Sequence, residues 1–421
     1  METPAGMRDF APKEMLVRKW VVEKIEEKFR IYGFRPLDTP AMEFLDVLTA
    51  KSGEEIEKQI FRIREENIGL RFDLTVPLAR FVASNLELPK PFKRYAIGKV
   101  WRNEEAQKGR YREFMQADVD IVGTKSMRAE GELLNLAYEV LNDLGFDLRG
   151  ARFLLNNRKI LNGLAKSWEI EESVRDDVFR SLDKMDKIGE LGVRNELEAK
   201  VGVEKTEEIL ESLKVDGGNG EKLEFAKEYS EEGAAELEEI LFYFPNAEID
   251  LFLVRGLAYY TGPIFEIKLS EEIGSVAAGG RYDGLIGLYG QGEYATGISF
   301  GIERLIYLIN SRREDGLRET TTQIFVANVK PEFYPYALEV AKEFRKAGIC
   351  AEVDLNERNL RKQLEYVNAL KIPYAAVVGE KERSAKKITL RDMKTGEERT
   401  ISVNEAVNKI KATYELRPGK Y

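Results

Sequence analysis

Histidine is absent from all 421 residues, and cysteine occurs once, at Cys350. These absences exclude the usual zinc sites, every histidine-based triad and any internal disulfide. Catalysis must then be built from Arg, Lys, carboxylates, hydroxyls and oxygen-bound metal ions, a kit suited to phosphoryl or nucleotidyl chemistry. Cys350 sits in the apolar context KAGICAEV and reads as a small core residue.

No run of about 18 apolar residues occurs, and METPAGMRDF at the N-terminus has neither a basic n-region nor an apolar h-region. The expectation is a cytoplasmic chain with no membrane span and no secretory signal. The pattern GxxxxGK[ST] is missing as well, so a Walker-type nucleotide site is not expected.

What is present is a long chain with 43% hydrophobic and 33% charged residues, enough for two or three domains. The net charge of −9 is unevenly spread. From Gln323 onward there are 19 Lys+Arg against 14 Asp+Glu, a balance of +5 that leaves −14 on the residues before it. The C-terminal part is therefore the candidate surface for a polyanion.

Apolar spacing predicts a helix over 14–31, stopped by Gly33, and another over 127–144, stopped by Gly145. FKRYAIGKVWR and REFMQADVDIVG read as two strands of a long-looped antiparallel hairpin. From about Asn156 to Glu238 the composition turns to Glu, Lys, Leu and Ser, as in a helical insertion. Strand patterns resume at Ala247, and GISFGIERLIYLINSR reads as a glycine-led helix. LVRGLAYYTGPIFE reads as a buried strand interrupted by Arg255, two glycines and two tyrosines. Beyond TTT at 320–322, strands alternate with helices, which predicts an α/β unit with a mostly parallel sheet.

Arginine inside an apolar segment needs an anion to face. Arg102, Arg110, Arg112, Arg255 and Arg304 lie on or beside separate such segments. If they converge they form a polyphosphate clamp, with guanidinium forks matched to phosphate oxygens. Asp73 lies beside Thr75 in GLRFDLTVPLAR, and Asp118 and Asp120 share one face of MQADVDIVG because strand side chains alternate. Such a pair accepts hydrogen bonds from an amine or holds a metal ion. GGRYDG around Arg281, Tyr282 and Asp283 lets backbone approach a ligand or makes a turn.

Taken together, these segments resemble the histidyl-tRNA synthetases, a family of class II aminoacyl-tRNA synthetases. RGLAYYTG is similar to the family's histidine-binding signature. FRPLDTPAMEF, VWRNEEAQKGRYREF and ATGISFGIERL resemble class II motifs 1, 2 and 3, in that order. LRFDLTVPLAR and NNRKIL have the form of the archaeal and eukaryotic branch. One departure is Ala258, where the family usually carries an acidic residue.

The resemblance implies a mixed α/β protein. An antiparallel-sheet catalytic domain occupies 1–155 and 241–319, interrupted by a helical insertion at 156–240 and followed by an α/β anticodon-binding domain at 323–421. It implies ATP, with Mg2+ on the phosphates, L-histidine and tRNA(His) as substrates and partners, and a homodimer. By the same resemblance, Arg102 holds the α-phosphate, Arg304 faces the γ-phosphate and adenine, Arg110 assists with the β- and γ-phosphates, and Arg255 supports the α-phosphate. Asp120 and Tyr260 read the imidazole, Asp73, Thr75 and Gln116 hold the α-amino and carboxylate ends, and Tyr259 and Tyr282 line the pocket. Arg358, Asn359, Arg361, Lys362 and Gln363 are the anticodon-contact candidates. The competing expectation is a regulatory paralogue that binds ligand without charging tRNA.

Overall fold

The computed structural model describes residues 2–50, 54–105, 111–255, 259–270, 273–312 and 319–415. Arg110 and Ala258 lie outside the described residues. The chain divides into two compact units, Met1–Arg8 with Val21–Ser311, and Asp9–Trp20 with Arg312–Tyr421.

The first unit is built from strands β1 (Arg35–Pro36), β2 (Met42–Phe44), β3 (Ile68–Leu70), β4 (Phe92–Trp101), β5 (Glu113–Val122), β6 (Arg152–Asn157), β7 (Ala247–Ile249), β8 (Pro263–Lys268), β9 (Ser275–Arg281) and β10 (Ala295–Gly301). Eight of these form one sheet in the order β1-β4-β5-β10-β9-β8-β6-β7. The inner pairs from β4 to β6 are antiparallel, and only the two edge pairs, β1·β4 and β6·β7, are parallel. β2 and β3 make a small antiparallel pair of their own.

The expected hairpin is β4 and β5, paired from Phe92↔Val122 to Trp101↔Glu113. The Arg128–Asp143 helix buries Leu133, Leu134, Ala137, Val140 and Leu141, a stripe at helical spacing. Each large aliphatic side chain so buried contributes about 1.5–3 kcal/mol. Six helices then run from Arg158 to Tyr243, so Asn156 and Asn157 still belong to β6.

Two readings of local structure are corrected. In GISFGIERLIYLINSR the first five residues end strand β10, and the helix begins only at Ile302. The glycines there serve the sheet floor rather than a helix start. In LVRGLAYYTGPIFE strand β8 begins at Pro263, and among the described residues before it Leu253 to Arg255 lie in irregular backbone although Leu253 and Val254 are buried.

The second unit carries β11 (Ile324–Asn328), β12 (Ala351–Val353), β13 (Tyr374–Val378), β14 (Ile388–Asp392) and β15 (Glu398–Ile401) in the order β12-β11-β13-β14-β15. β11 pairs with β12 and β13 in parallel, but β13·β14 and β14·β15 are antiparallel. The sheet is therefore mixed, not mostly parallel, because only the short helix Glu380–Ala385 separates β13 from β14 and a turn joins β14 to β15. Cys350 is exposed, not a core residue. It falls between Ile349 and Ala351, both buried, and alternation turns it outward at the mouth of β12.

Candidate active site

Period-two alternation puts Gln116, Asp118 and Asp120 on one face of β5. Register then decides what stands beside each. Asp120 is opposite Arg94 on β4 and Gly297 on β10, Asp118 is opposite Ala96 and Ser299, and Gln116 is opposite Gly98 and Gly301. Rows of glycine, alanine and serine flank a polar ridge, which leaves space above the sheet. At Gly297 the space is required, since a Cβ there would lie 2.1 Å from Asp120 Oδ1.

That space is a cavity of about 60 Å³ lined by Asp73, Thr75, Arg102, Gln116, Asp118, Asp120, Tyr259, Tyr260, Tyr282 and the small residues Ala278, Gly297 and Ser299. Nine of the residues singled out from sequence thus meet at one place. Asp73 arrives at the N-terminus of the Thr75–Ala83 helix, where its Oδ1 accepts from the backbone N–H of Thr75 at 3.1 Å and Val76 at 2.9 Å. Gln116 donates to Ser299 Oγ at 2.8 Å, while its own Oε1 is buried without a hydrogen-bond partner. Arg102 donates through Nε to Phe72 O at 3.1 Å and stands over the Phe114 ring. Tyr259 and Tyr260 cross edge-on at 4.8 Å between centroids, and Tyr259 makes a similar contact with Tyr282.

Arg94 is the residue that sequence reading missed. Its guanidinium is buried, donates to Leu74 O at 3.0 Å and forms an ion pair with Asp120 at 2.8 Å. Tyr282 donates a hydrogen bond to the other oxygen of the same carboxylate. Alternation in KRYAIGK would have placed Arg94 on one face with Ala96 and Gly98, but the cross-strand register that sets it beside Asp120 is not written in either strand alone.

Burial dominates the titration of this cluster. It pushes Asp118 up to about 7, against the pull of Arg94. It raises Asp73, opposed chiefly by the Val76 N–H and then by Arg102. It raises Asp120 as well, opposed by Arg94 and by the Tyr282 hydroxyl. The phenols of Tyr259, Tyr260 and Tyr282 are also raised by burial and stay neutral.

Arg255 and Arg304 do not line this cavity. Arg255 already faces an anion, the buried Glu266 of β8, with Nη2 3.0 Å from Oε1 and Nε bonded to the second oxygen. Arg304, on the helix Ile302–Ser311, donates to the backbone carbonyl of Ser275. Arg281, the last residue of β9, is buried against Glu130 at 2.8 Å and ties β9 to the Arg128–Asp143 helix. Among the described residues no group of three or more acidic or sulfur side chains could hold a metal ion, and no helix is long and apolar enough to cross a membrane.

In the second unit Arg361 is exposed, whereas Gln363 is fully buried and holds β11 through Asn328 O at 3.0 Å. Arg358 is paired with Asp354 at 2.6 Å and covers the Tyr366 ring. Asn359 caps its helix by accepting from Lys362 N.

Comparison with known proteins matches residues 6–305 to the family model described as histidyl-tRNA synthetase, and residues 323–413 to the anticodon binding domain. The chain is 43% identical to a histidine–tRNA ligase of Aeropyrum pernix over 97% of both chains. It is 39% identical to one from Korarchaeum cryptofilum, covering 97% of this chain and 98% of the relative. The fold is similar to a crystal structure of histidyl-tRNA synthetase from Nostoc sp., with a TM-score of 0.84, 31% identity and coverage of 98% and 99%.

Proposed function

The chain belongs to the histidyl-tRNA synthetase family, and from that membership we propose how its residues attach histidine to tRNA(His). The observation that carries the reading is one cavity where carboxylates, a glutamine, an arginine and three phenols converge on the floor of the sheet. Histidine offers an ammonium group and a ring with two nitrogens, and a site built to hydrogen-bond such groups rejects analogues that lack them.

In the first step a carboxylate oxygen of histidine attacks the α-phosphorus of ATP, and the bond to the pyrophosphate leaving oxygen breaks. Histidyl-adenylate and pyrophosphate result. The histidyl group then passes to a ribose hydroxyl at the end of the tRNA, releasing AMP. No protein base is needed for the first step, because the attacking carboxylate is already ionised. Charge on the phosphates is the barrier, and Arg102, Arg110, Arg255 and Arg304 are assigned to it.

Asp120 and Tyr260 take the imidazole, and Asp73, Thr75 and Gln116 the amino-acid end, with Tyr259 and Tyr282 as walls. The partnerless Oε1 of Gln116 favours a donor in that place. Magnesium would accompany the ATP phosphates and neutralise part of their charge, since the described residues form no acidic cage.

On this reading residues 1–155 and 241–319 build the activation site, 156–240 form the insertion, and 323–421 read the anticodon in the cytoplasm. Met42 and Phe44, exposed on β2 within the motif 1 segment, are assigned to a homodimer contact. The regulatory reading is disfavoured, because one chain matches both the synthetase and the anticodon-binding models. ATP–pyrophosphate exchange with a panel of amino acids, followed by charging of tRNA(His), tests the proposal. Exchange that depends on histidine alone is expected; preference for proline or threonine, or no exchange by folded protein, overturns it.

A further inference from the structure

Asp118 stands between Gln116 and Asp120 on the same face of β5 and lines the same cavity, yet the roles above leave it without one. It is 2% exposed. A buried aspartate in a sheet is ordinarily held by a cation, and the cation here is already engaged: the ion pair of Arg94 is with Asp120, at 2.8 Å. Ser299, opposite on β10, favours the charged Asp118 carboxylate, but Oδ1 has no partner. An acceptor left unsatisfied in the wall of a cavity is costly unless a ligand completes it.

The groups facing Asp118 narrow down that ligand. Arg94 comes from β4, Gln116 and Asp120 from its own strand, Ser299 from β10, and Asp73 from the turn before the Thr75–Ala83 helix, with Arg102 and the phenols of Tyr259, Tyr260 and Tyr282 closing the cavity. Asp73 has already spent one oxygen, which accepts from two backbone N–H groups of that helix. The amino-acid end of the cavity therefore lacks a full carboxylate for an ammonium group, which brings three donors.

We propose that Asp118 is a further histidine-binding residue whose Oδ1 accepts a hydrogen bond from the α-ammonium group, with Arg94 as the positioning residue that holds Asp120 and leaves Asp118 to the ligand. This rests on the reading that the cavity takes histidine. Because burial pushes Asp118 up to about 7, arrival of the cation favours the carboxylate and releases a proton. Histidine binding then tightens as pH rises through about 7.

The test is histidine-dependent ATP–pyrophosphate exchange by the full chain and by Asp118→Asn between about pH 6 and pH 9. Loss of the charge-assisted hydrogen bond should raise KM for histidine by about tenfold or more, with KM for ATP and kcat little changed. If the parent exchanges with histidine and the variant keeps its KM across the pH range, the inference fails while the reading of the site stands. If the parent does not exchange with histidine, the reading itself fails. A second measurement needs no variant: calorimetry of the parent in buffers of different ionisation enthalpy, comparing L-histidine with imidazole lactate, which lacks the amine. Greater proton release with histidine is expected, and equal release overturns the proposal.

Discussion

Arg255 and Glu266 meet at two points, Nη2 to Oε1 at 3.0 Å and Nε to Oε2, with the carboxylate 1% exposed on β8. A bidentate contact fixes the plane of a guanidinium as well as its position. Replacing Glu266 by Gln removes the charge and one of the two acceptors without removing the side chain. Because misplacement of a charged group by about 1 Å costs about 100-fold in rate, we expect kcat for pyrophosphate exchange to fall by about 10–100-fold, with the fold intact. A kcat within twofold of the parent would show that Arg255 does not depend on Glu266 for its place in the reaction.

Gly297 is expected to tolerate nothing larger. A methyl group there would overlap Asp120 Oδ1 and lie 2.9 Å from Val119 O, both on the neighbouring strand. Gly297→Ala should push the Asp120 carboxylate off its place and raise KM for histidine by about 10–100-fold, with a much smaller effect on KM for ATP. Equal losses for the two substrates would count against a local effect on the amino-acid site.

The buried Asp118 makes stability depend on pH in a direction that can be worked out. Its ordinary value is 3.8, and burial raises it to about 7 in the folded protein. Between those values the unfolded chain has released the proton and the folded chain has not, so the folded state binds more protons and stability falls as pH rises. The full shift corresponds to on the order of 4 kcal/mol. Asp118→Asn, which cannot titrate, should lose this part of the slope and be the more stable protein at pH 8. Urea unfolding at several pH values measures both, and parallel curves for parent and variant would refute the assignment.

The dimer assignment rests on β2, where alternation buries Glu43 and exposes Met42 and Phe44. Glu43 is held from below by Arg80 at 2.5 Å, so the outward pair can be changed without disturbing the fold. Met42→Glu with Phe44→Glu should shift the protein from dimer to monomer in sedimentation, because charges in an apolar interface are left desolvated. A parent that sediments as a monomer would remove the assignment altogether.

Much of the site could be read along the chain because its chemistry lies on short elements of known period. Gln116, Asp118 and Asp120 announce a common face through spacing alone, and the proline and glycine punctuation marks out the elements that carry Arg102 and Tyr282. Spacing carries no information on partners. An arginine in an apolar stretch calls for an anion without naming it, and the carboxylate that positions Arg255 is Glu266, eleven residues on in the chain. Cys350 looked buried from its apolar neighbours, but alternation at the start of β12 turns it to the surface.

By itself the sequence determined the family, the order of the elements and the face on which each polar residue of β5 stands, since motifs and side-chain periods are local properties. Tertiary structure decided that Arg94 belongs to Asp120, that Arg281 belongs to Glu130, and that Asp118 keeps an oxygen without a partner. Those outcomes depend on register between strands and on which cation reaches a buried carboxylate first. Both are set by the packing of distant segments, which no spacing within one segment encodes.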